Sequence, residues 1–233
     1  MIKKKNHNEK EISHYKTSTN GIIEKSISLL ILILLSPIIL IVLEIVLLIT
    51  GEPPIFKQKR GLTLEEKFIN IYKIRTIKSS YRVTNGSRSS NIFYKSENKN
   101  NVSRFCSFLR KTGFDEILQL INVLQGEMSI VGPRPLMVSD LELMKKTDID
   151  LYKRRKQILS KPGITGYWQV FGIREEGILN LIKLEEFYEK NKSLRLDSYL
   201  IIKTIFIILT VSHSDSIVSE LKRNSEDGLQ KAT

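Results

Sequence analysis

The stretch TGFDEILQL, residues 112 to 120, sets Asp115 beside Glu116 where a run of Ile and Leu begins. Two chemistries fit such a pair. Acidic residues suit the positive end of a helix dipole, with Thr112 as the cap. Alternatively, one carboxylate acts as a nucleophile while its neighbour holds a divalent cation. The rest of the chain bears on the choice. His7, His14 and His213 are the only histidines, and all lie in polar end segments. Cys106 is the single cysteine. A Ser-His-Asp or Cys-His catalytic set needs a histidine inside the folded body, and a cysteine-based zinc site or internal disulfide needs partners that Cys106 lacks. Any chemistry therefore falls to carboxylates, to Lys and Arg, and to a bound metal.

Basic residues are plentiful. Lys and Arg number 37 against 25 Asp and Glu, a formal charge of +12, and residues 51–113 alone hold 14 basic side chains against 4 acidic ones. Such a concentration points to an anionic partner: nucleic acid, acidic lipid head groups or a phosphorylated substrate. Composition does not choose among the three, although no nucleic-acid-binding motif is recognisable. Three Gly/Pro-bearing segments carry Arg or Lys: QKRGL, VGPRPL and KPGITG. Arg134 stands between Pro133 and Pro135, so its backbone is ordered before any ligand arrives, which suits bidentate binding of phosphate. A stiff turn with a solvent-facing Arg is the alternative. Arg75 and Arg110 fall on elements expected near the same site. Carboxylate, Mg²⁺ and Arg together are what transfer of a phosphoryl-type group requires. An ionised Asp attacks phosphorus without a general base, and Mg²⁺ on its neighbour offsets the repulsion between two anions. That reading accounts for both acids; a helix cap does not.

The elements that position these groups begin with ISLLILILLSPIILIVLEIVLLI (27–49), whose only charge is Glu44. It exceeds the roughly 20 residues a transmembrane helix needs. It is too long for a cleaved signal, and no small-residue cleavage site follows. Both flanks are basic, with six lysines in residues 1–25 and KQKR at 57–60, so the positive-inside rule gives no direction. Pro37 lacks an N–H and frees a carbonyl one turn earlier, with the Ser36 hydroxyl at hand. The residues from 27 to Ser36 reach about 13 Å, close to the midplane of a core about 30 Å thick. A kinked span and a re-entrant hairpin both fit this segment.

Beyond it, 52–62 reads as extended chain after a proline pair. Alternation over 67–77 predicts a short strand. Residues 79–102, rich in Ser, Asn, Lys and Arg, read as a long loop. A helix is expected over 103–111, and another from the acid pair to near Gly126. Residues 127–137 read as a strand entering a rigid loop, 138–159 as one charged helix, and 161–172 as a turn and strand. Helices are expected over 178–193 and 197–211, the second amphipathic. The fold class expected is α+β, mostly helical with short strands. The division is a polar tail (1–22), a membrane segment (23–51), one main domain (52–211) and a second polar tail (212–233).

Taken together, SPIIL, PPIFKQKRGL, FINIYKIRTIK, LRKTGFDEILQLINVLQGEMSIVGPRPL and RRKQILSKPGITGYWQV resemble, in order and spacing, the bacterial sugar transferases that act as monotopic phosphoglycosyl transferases. The likeness covers roughly residues 26–211, and DEILQLINVLQGEMSIVGPRPL is highly specific. It implies transfer of a sugar phosphate from a UDP-sugar to polyprenol phosphate, releasing UMP, as the first step of capsule, exopolysaccharide, lipopolysaccharide or glycoprotein glycan assembly. It implies that Asp115 is the nucleophile and that Glu116 binds Mg²⁺. Arg134 and Arg110 would hold phosphate groups, with Arg75 a weaker candidate. Ser36 and Pro37 would be the break of a re-entrant helix at the cytoplasmic face of the inner membrane, with amphipathic helices in the interface. The bilayer, the polyprenol phosphate and downstream glycosyltransferases are the partners implied, and nucleic acid is not among them. Three departures stand out. Phe114 replaces the usual Leu, the usual GR after WQV is spaced out to Gly172-Ile173-Arg174, and Glu185 stands where an Asp is common. Arg174 and Glu185 are therefore uncertain members of the site. A non-catalytic, membrane-tethered basic module and a degenerate scaffold remain as alternatives.

Overall fold

The computed structural model describes residues 21–79, 102–173 and 176–210. Helix α1 runs over Gly21–Thr50 with Pro37 inside it. The carbonyl that Pro37 leaves without a donor is that of Ile33, and Ser36 Oγ donates to it at 2.8 Å. This substitute bond meets the need that a missing N–H creates in an apolar setting. Helical structure thus runs through the Ser36-Pro37 position that the resemblance marks as a break. Both halves of α1 rest on the domain. Glu24 accepts from the Ile130 N–H at 3.2 Å, while Ile39, Val42 and Val46 pack with Ile74, Leu109 and Leu118. Its outward residues, among them Leu30, Leu34, Leu40 and Leu48, are exposed.

Strands β1 (Ile55–Gly61) and β2 (Ile69–Ile74) pair antiparallel, Ile55 opposite Ile74 and Arg60 opposite Ile69. Next come α2 (Arg104–Thr112), a 3₁₀ helix (Phe114–Gln119) and α3 (Leu120–Leu124). Ser103 caps α2, accepting from the Cys106 N–H at 3.1 Å. Strand β3 (Ser129–Val131) precedes β4 (Leu136–Met137), which adds to β1 and gives the sheet order β2-β1-β4. The charged stretch after it is two helices, α4 (Val138–Thr147) and α5 (Ile149–Arg155), because Asp148 leaves helical geometry and caps the second. Strand β5 (Gly163–Thr165) pairs parallel with β3, and the chain then turns into a short helix, α6 (Tyr167–Phe171), rather than continuing extended. Helices α7 (Gly177–Asn191) and α8 (Leu194–Leu209) complete the described chain. Helices with short strands are the α+β class expected.

The main core gathers Leu136, Leu141, Met144, Tyr152, Trp168, Leu181 and Ile182 from β4, α4, α5, α6 and α7. A second cluster lies under α1. The seam between β3 and β5 is backbone against backbone. A Cβ on Gly132 would stand 2.2 Å from the Lys161 carbonyl oxygen, and one on Gly163 would stand 2.1 Å from the Gly132 nitrogen. Only glycine fits at either place. The bonds Gly132 N–H to Thr165 O (2.9 Å) and Gly163 N–H to Pro133 O (3.0 Å) fasten VGPRPL to KPGITG. Helix α8 leaves Leu194, Ile202, Ile205, Phe206 and Leu209 exposed, an apolar surface of the kind that rests on lipid.

Candidate active site

Asp115 and Glu116 lie in the first turn of the 3₁₀ helix rather than of an α-helix, and Gly113 holds its N-cap position, with the Thr112 hydroxyl accepting from the Phe114 N–H at 3.4 Å. Thr112 ends α2, where its hydroxyl donates back to Phe108 O at 3.0 Å. Gly113, at φ 70°, makes the turn between the two helices, a left-handed conformation that favours glycine. The 3₁₀ helix is held across β2 through the next helix. Asn122 of α3 is fully buried, accepts from the Tyr72 N–H at 3.2 Å and donates to Asn70 O at 2.9 Å. Lys73, one residue further along β2, places Nζ 2.5 Å from Glu116 Oε1.

These groups open on a cleft of about 720 Å³ whose walls include Asp115, Glu116, Lys73, Arg60, Arg110 and Arg134. One side is apolar, with Ile31 of α1 and Ile207 and Ile208 of α8. Its electrostatics separate the two acids. Burial, then the Glu116 charge, push the Asp115 carboxyl up to about 7, against the pull of Lys73 and Arg110. Burial works the same way on Glu116, but the charges of Lys73 and Arg134 outweigh it and hold that carboxyl well below the ordinary range. Burial and the Glu116 charge therefore oppose ionisation of Asp115, and positive charge brought into the cleft would favour it.

Arg134 sits in the rigid loop as its sequence implied, with Cζ 5.6 Å from the centre of the Trp168 ring. Its backbone is gripped from both sides. Glu185 Oε1 accepts from the Arg134 N–H at 2.8 Å, and Arg155 Nη2 donates to the Arg134 carbonyl at 2.6 Å. Arg155 and Glu185 are themselves a buried ion pair, and Arg155 Nε donates to Leu62 O at 2.6 Å. Glu185 thus sits beneath the loop, and it is absent from the residues lining the cleft. Arg75 does line the cleft, but Glu52 lies 3.2 Å from its Nη1, and it also donates to Pro53 O and Ser79 Oγ. Its charge is therefore largely answered within the protein. Arg110 faces the cleft, and its charge acts on Asp115. Ser36 and Pro37 lie on α1, and Arg174 lies outside the described residues.

Lys73, Arg60 and Arg155 received no role from the sequence. For Lys73 a signal existed: it alternates in phase with Ile69 and Ile71, both buried, and a lysine on that face needs a partner. Arg155 fell in a stretch read as a charged helix, and nothing local marks it as fully buried.

Among the described residues no group of three or more His, Cys, Asp or Glu side chains is placed to hold a metal. Mg²⁺ asks for less: it takes one or two carboxylates and completes its shell with substrate phosphates and water. Asp115 and Glu116 could supply those carboxylates, and a cation beside them would offset the burial and the Glu116 charge that raise Asp115.

A carboxylate pair thus lies in a basic cleft walled on one side by apolar residues of α1 and α8. Residues 15–211 match the family of bacterial sugar transferases, and the chain belongs to that family. It is 33% identical to the exopolysaccharide production protein ExoY of Sinorhizobium fredii over 193 residues, which is 77% of this chain and 80% of that protein. It is 35% identical over 185 residues to the UDP-glucose:undecaprenyl-phosphate glucose-1-phosphate transferase of Klebsiella pneumoniae, covering 77% of this chain and 38% of that protein. The UDP-galactose-lipid carrier transferase of Erwinia amylovora is 40% identical over 116 residues, 50% of this chain and 23% of its own length. The chain therefore matches well under half the length of the last two relatives.

Proposed function

We propose that the protein transfers a sugar phosphate from a UDP-sugar to undecaprenyl phosphate. The observation that carries this reading is the cleft itself. It joins a carboxylate pair, Lys73 and four guanidinium groups to an apolar wall shared by α1 and α8. A Asp115 carboxylate oxygen attacks the phosphorus that bears the sugar; the P–O bond to UMP breaks, and UMP leaves with that electron pair. A phosphate oxygen of undecaprenyl phosphate then attacks the same phosphorus and Asp115 departs as carboxylate, leaving the sugar on a lipid diphosphate. Glu116 would hold Mg²⁺, which would supply charge neutralisation for the diphosphate. Arg134 and Arg110 orient phosphoryl oxygens, and Lys73 keeps Glu116 ionised and in place. The names of the relatives support both substrate classes.

The same reading makes the protein monotopic, with its domain on the cytoplasmic face. Glu24 near the start of α1 and the strand that follows its end both join one domain, which supports a helix that enters and leaves on one side. The test of the reaction is UMP release by protein in nanodiscs with Mg²⁺, undecaprenyl phosphate and a panel of UDP-sugars. Release with one sugar and a loss of at least about a thousandfold in Asp115→Asn is the expected result. Equal release from the variant would return Asp115 to a structural role.

A further inference from the structure

Among the described residues three cationic side chains are buried: Lys73, Arg155 and Arg60. Lys73 pairs with Glu116 and Arg155 with Glu185. Arg60, only 6% exposed, differs from both. Its Nε and Nη2 donate to Gln58 Oε1 at 3.1 and 2.8 Å, and its Nη1 donates to Pro135 O at 3.2 Å, all neutral acceptors. No carboxylate of a described residue forms an ion pair with it. Pro135 follows Arg134, and both guanidinium groups line the cleft. Of the charges acting on Arg60, that of Arg134 is the strongest and repels it, ahead of Glu116 and Asp140.

A buried cation with neutral partners, set beside a second cation, contributes little to stability, because apolar residues of the same volume fill such a place as well or better. Its register is nevertheless firmly set, with Arg60 opposite Ile69 on β2 and opposite Met137 on β4. Glu116 and Asp140 offset part of this charge; an anion with more than one negative group would offset more, and the planar fork of Arg matches phosphoryl oxygens two at a time. We propose that Arg60 binds substrate, forming with Arg134 a two-guanidinium site for the diphosphate of a nucleotide-sugar donor. This rests on the donor class proposed above and adds a residue to it.

The test compares UDP with UMP, measured by calorimetry on the full chain in nanodiscs with Mg²⁺. Wild type is expected to bind UDP at least about tenfold more tightly than UMP. In Arg60→Met that preference collapses towards parity while the melting temperature stays the same or rises, an outcome that a purely structural arginine would not give. Arg60→Lys, which keeps the charge without the fork, retains the fold and loses part of the preference; it decides the matter should Arg60→Met not fold. A preference as large as that of wild type in either folded variant overturns the role of Arg60 alone. Wild type with no affinity for either nucleotide overturns the donor class as well.

Discussion

Glu185 carries its argument at the level of single atoms. One carboxylate oxygen holds the Arg134 N–H and the other meets Arg155, whose guanidinium reaches the Arg134 carbonyl. The peptide groups on either side of Arg134, the side chain proposed to bind phosphate, are thus fixed by one buried pair. Removing one member of such a pair costs about 3–5 kcal/mol, because the other charge stays buried. Glu185→Gln is therefore expected to destabilise the protein by about that amount in denaturant titrations. The Mg²⁺ concentration that supports half-maximal activity should stay unchanged, since Glu185 is not at the cleft. A shifted Mg²⁺ requirement would instead make it a metal ligand. The acid pair and Arg134 were legible as residues, because adjacent carboxylates and a proline-flanked arginine are local patterns. The partners that tune them were not. Lys73 reaches Glu116 across 43 positions of sequence and Arg155 reaches Glu185 across 30, and no periodicity records a contact of that range.

Helices and strands were read with uneven success, for reasons that lie in their ends. Strand β2 and helices α2, α7 and α8 follow patterns long enough to show a period. The acid pair looked like a helix start because Thr112 precedes it, yet the left-handed Gly113 closes one helix and opens a 3₁₀ turn instead. The stretch after β5 looked extended from its Tyr, Trp and Val, but Gly166 lets α6 begin and Trp168 is buried in the core by helical packing. At the start of α8, Asp197 is 2% exposed and accepts from the Tyr188 hydroxyl at 2.9 Å. Burial, with a contribution from Glu24, pushes its carboxyl up to about 6, against the pull of Tyr188. Between the ordinary Asp value and about 6 the folded state holds more protons than the unfolded state, so this group makes stability fall as pH rises through that window. Asp197→Asn, which keeps an oxygen for Tyr188 to donate to, should flatten that slope and raise the melting temperature at neutral pH. Melting curves across pH 4 to 7 check it, and an unchanged slope would assign it to other groups.

At the scale of the whole molecule the membrane segment dominates. Its sequence left a kinked span and a hairpin open, because length and hydropathy are alike in both. Docking of its two halves on one domain is a long-range feature that neither length nor hydropathy records. Cysteines introduced at residues 10 and 90 should react from the same, cytoplasmic side of intact cells; labelling from opposite sides would make α1 a span. A re-entrant α1, as proposed above, would add its volume to one monolayer and nothing to the other. Each copy would then enlarge the area of the near leaflet alone, and the bilayer would relieve the imbalance by bowing towards the protein. Enough of these molecules gathered at one place would shape the patch of membrane on which they work.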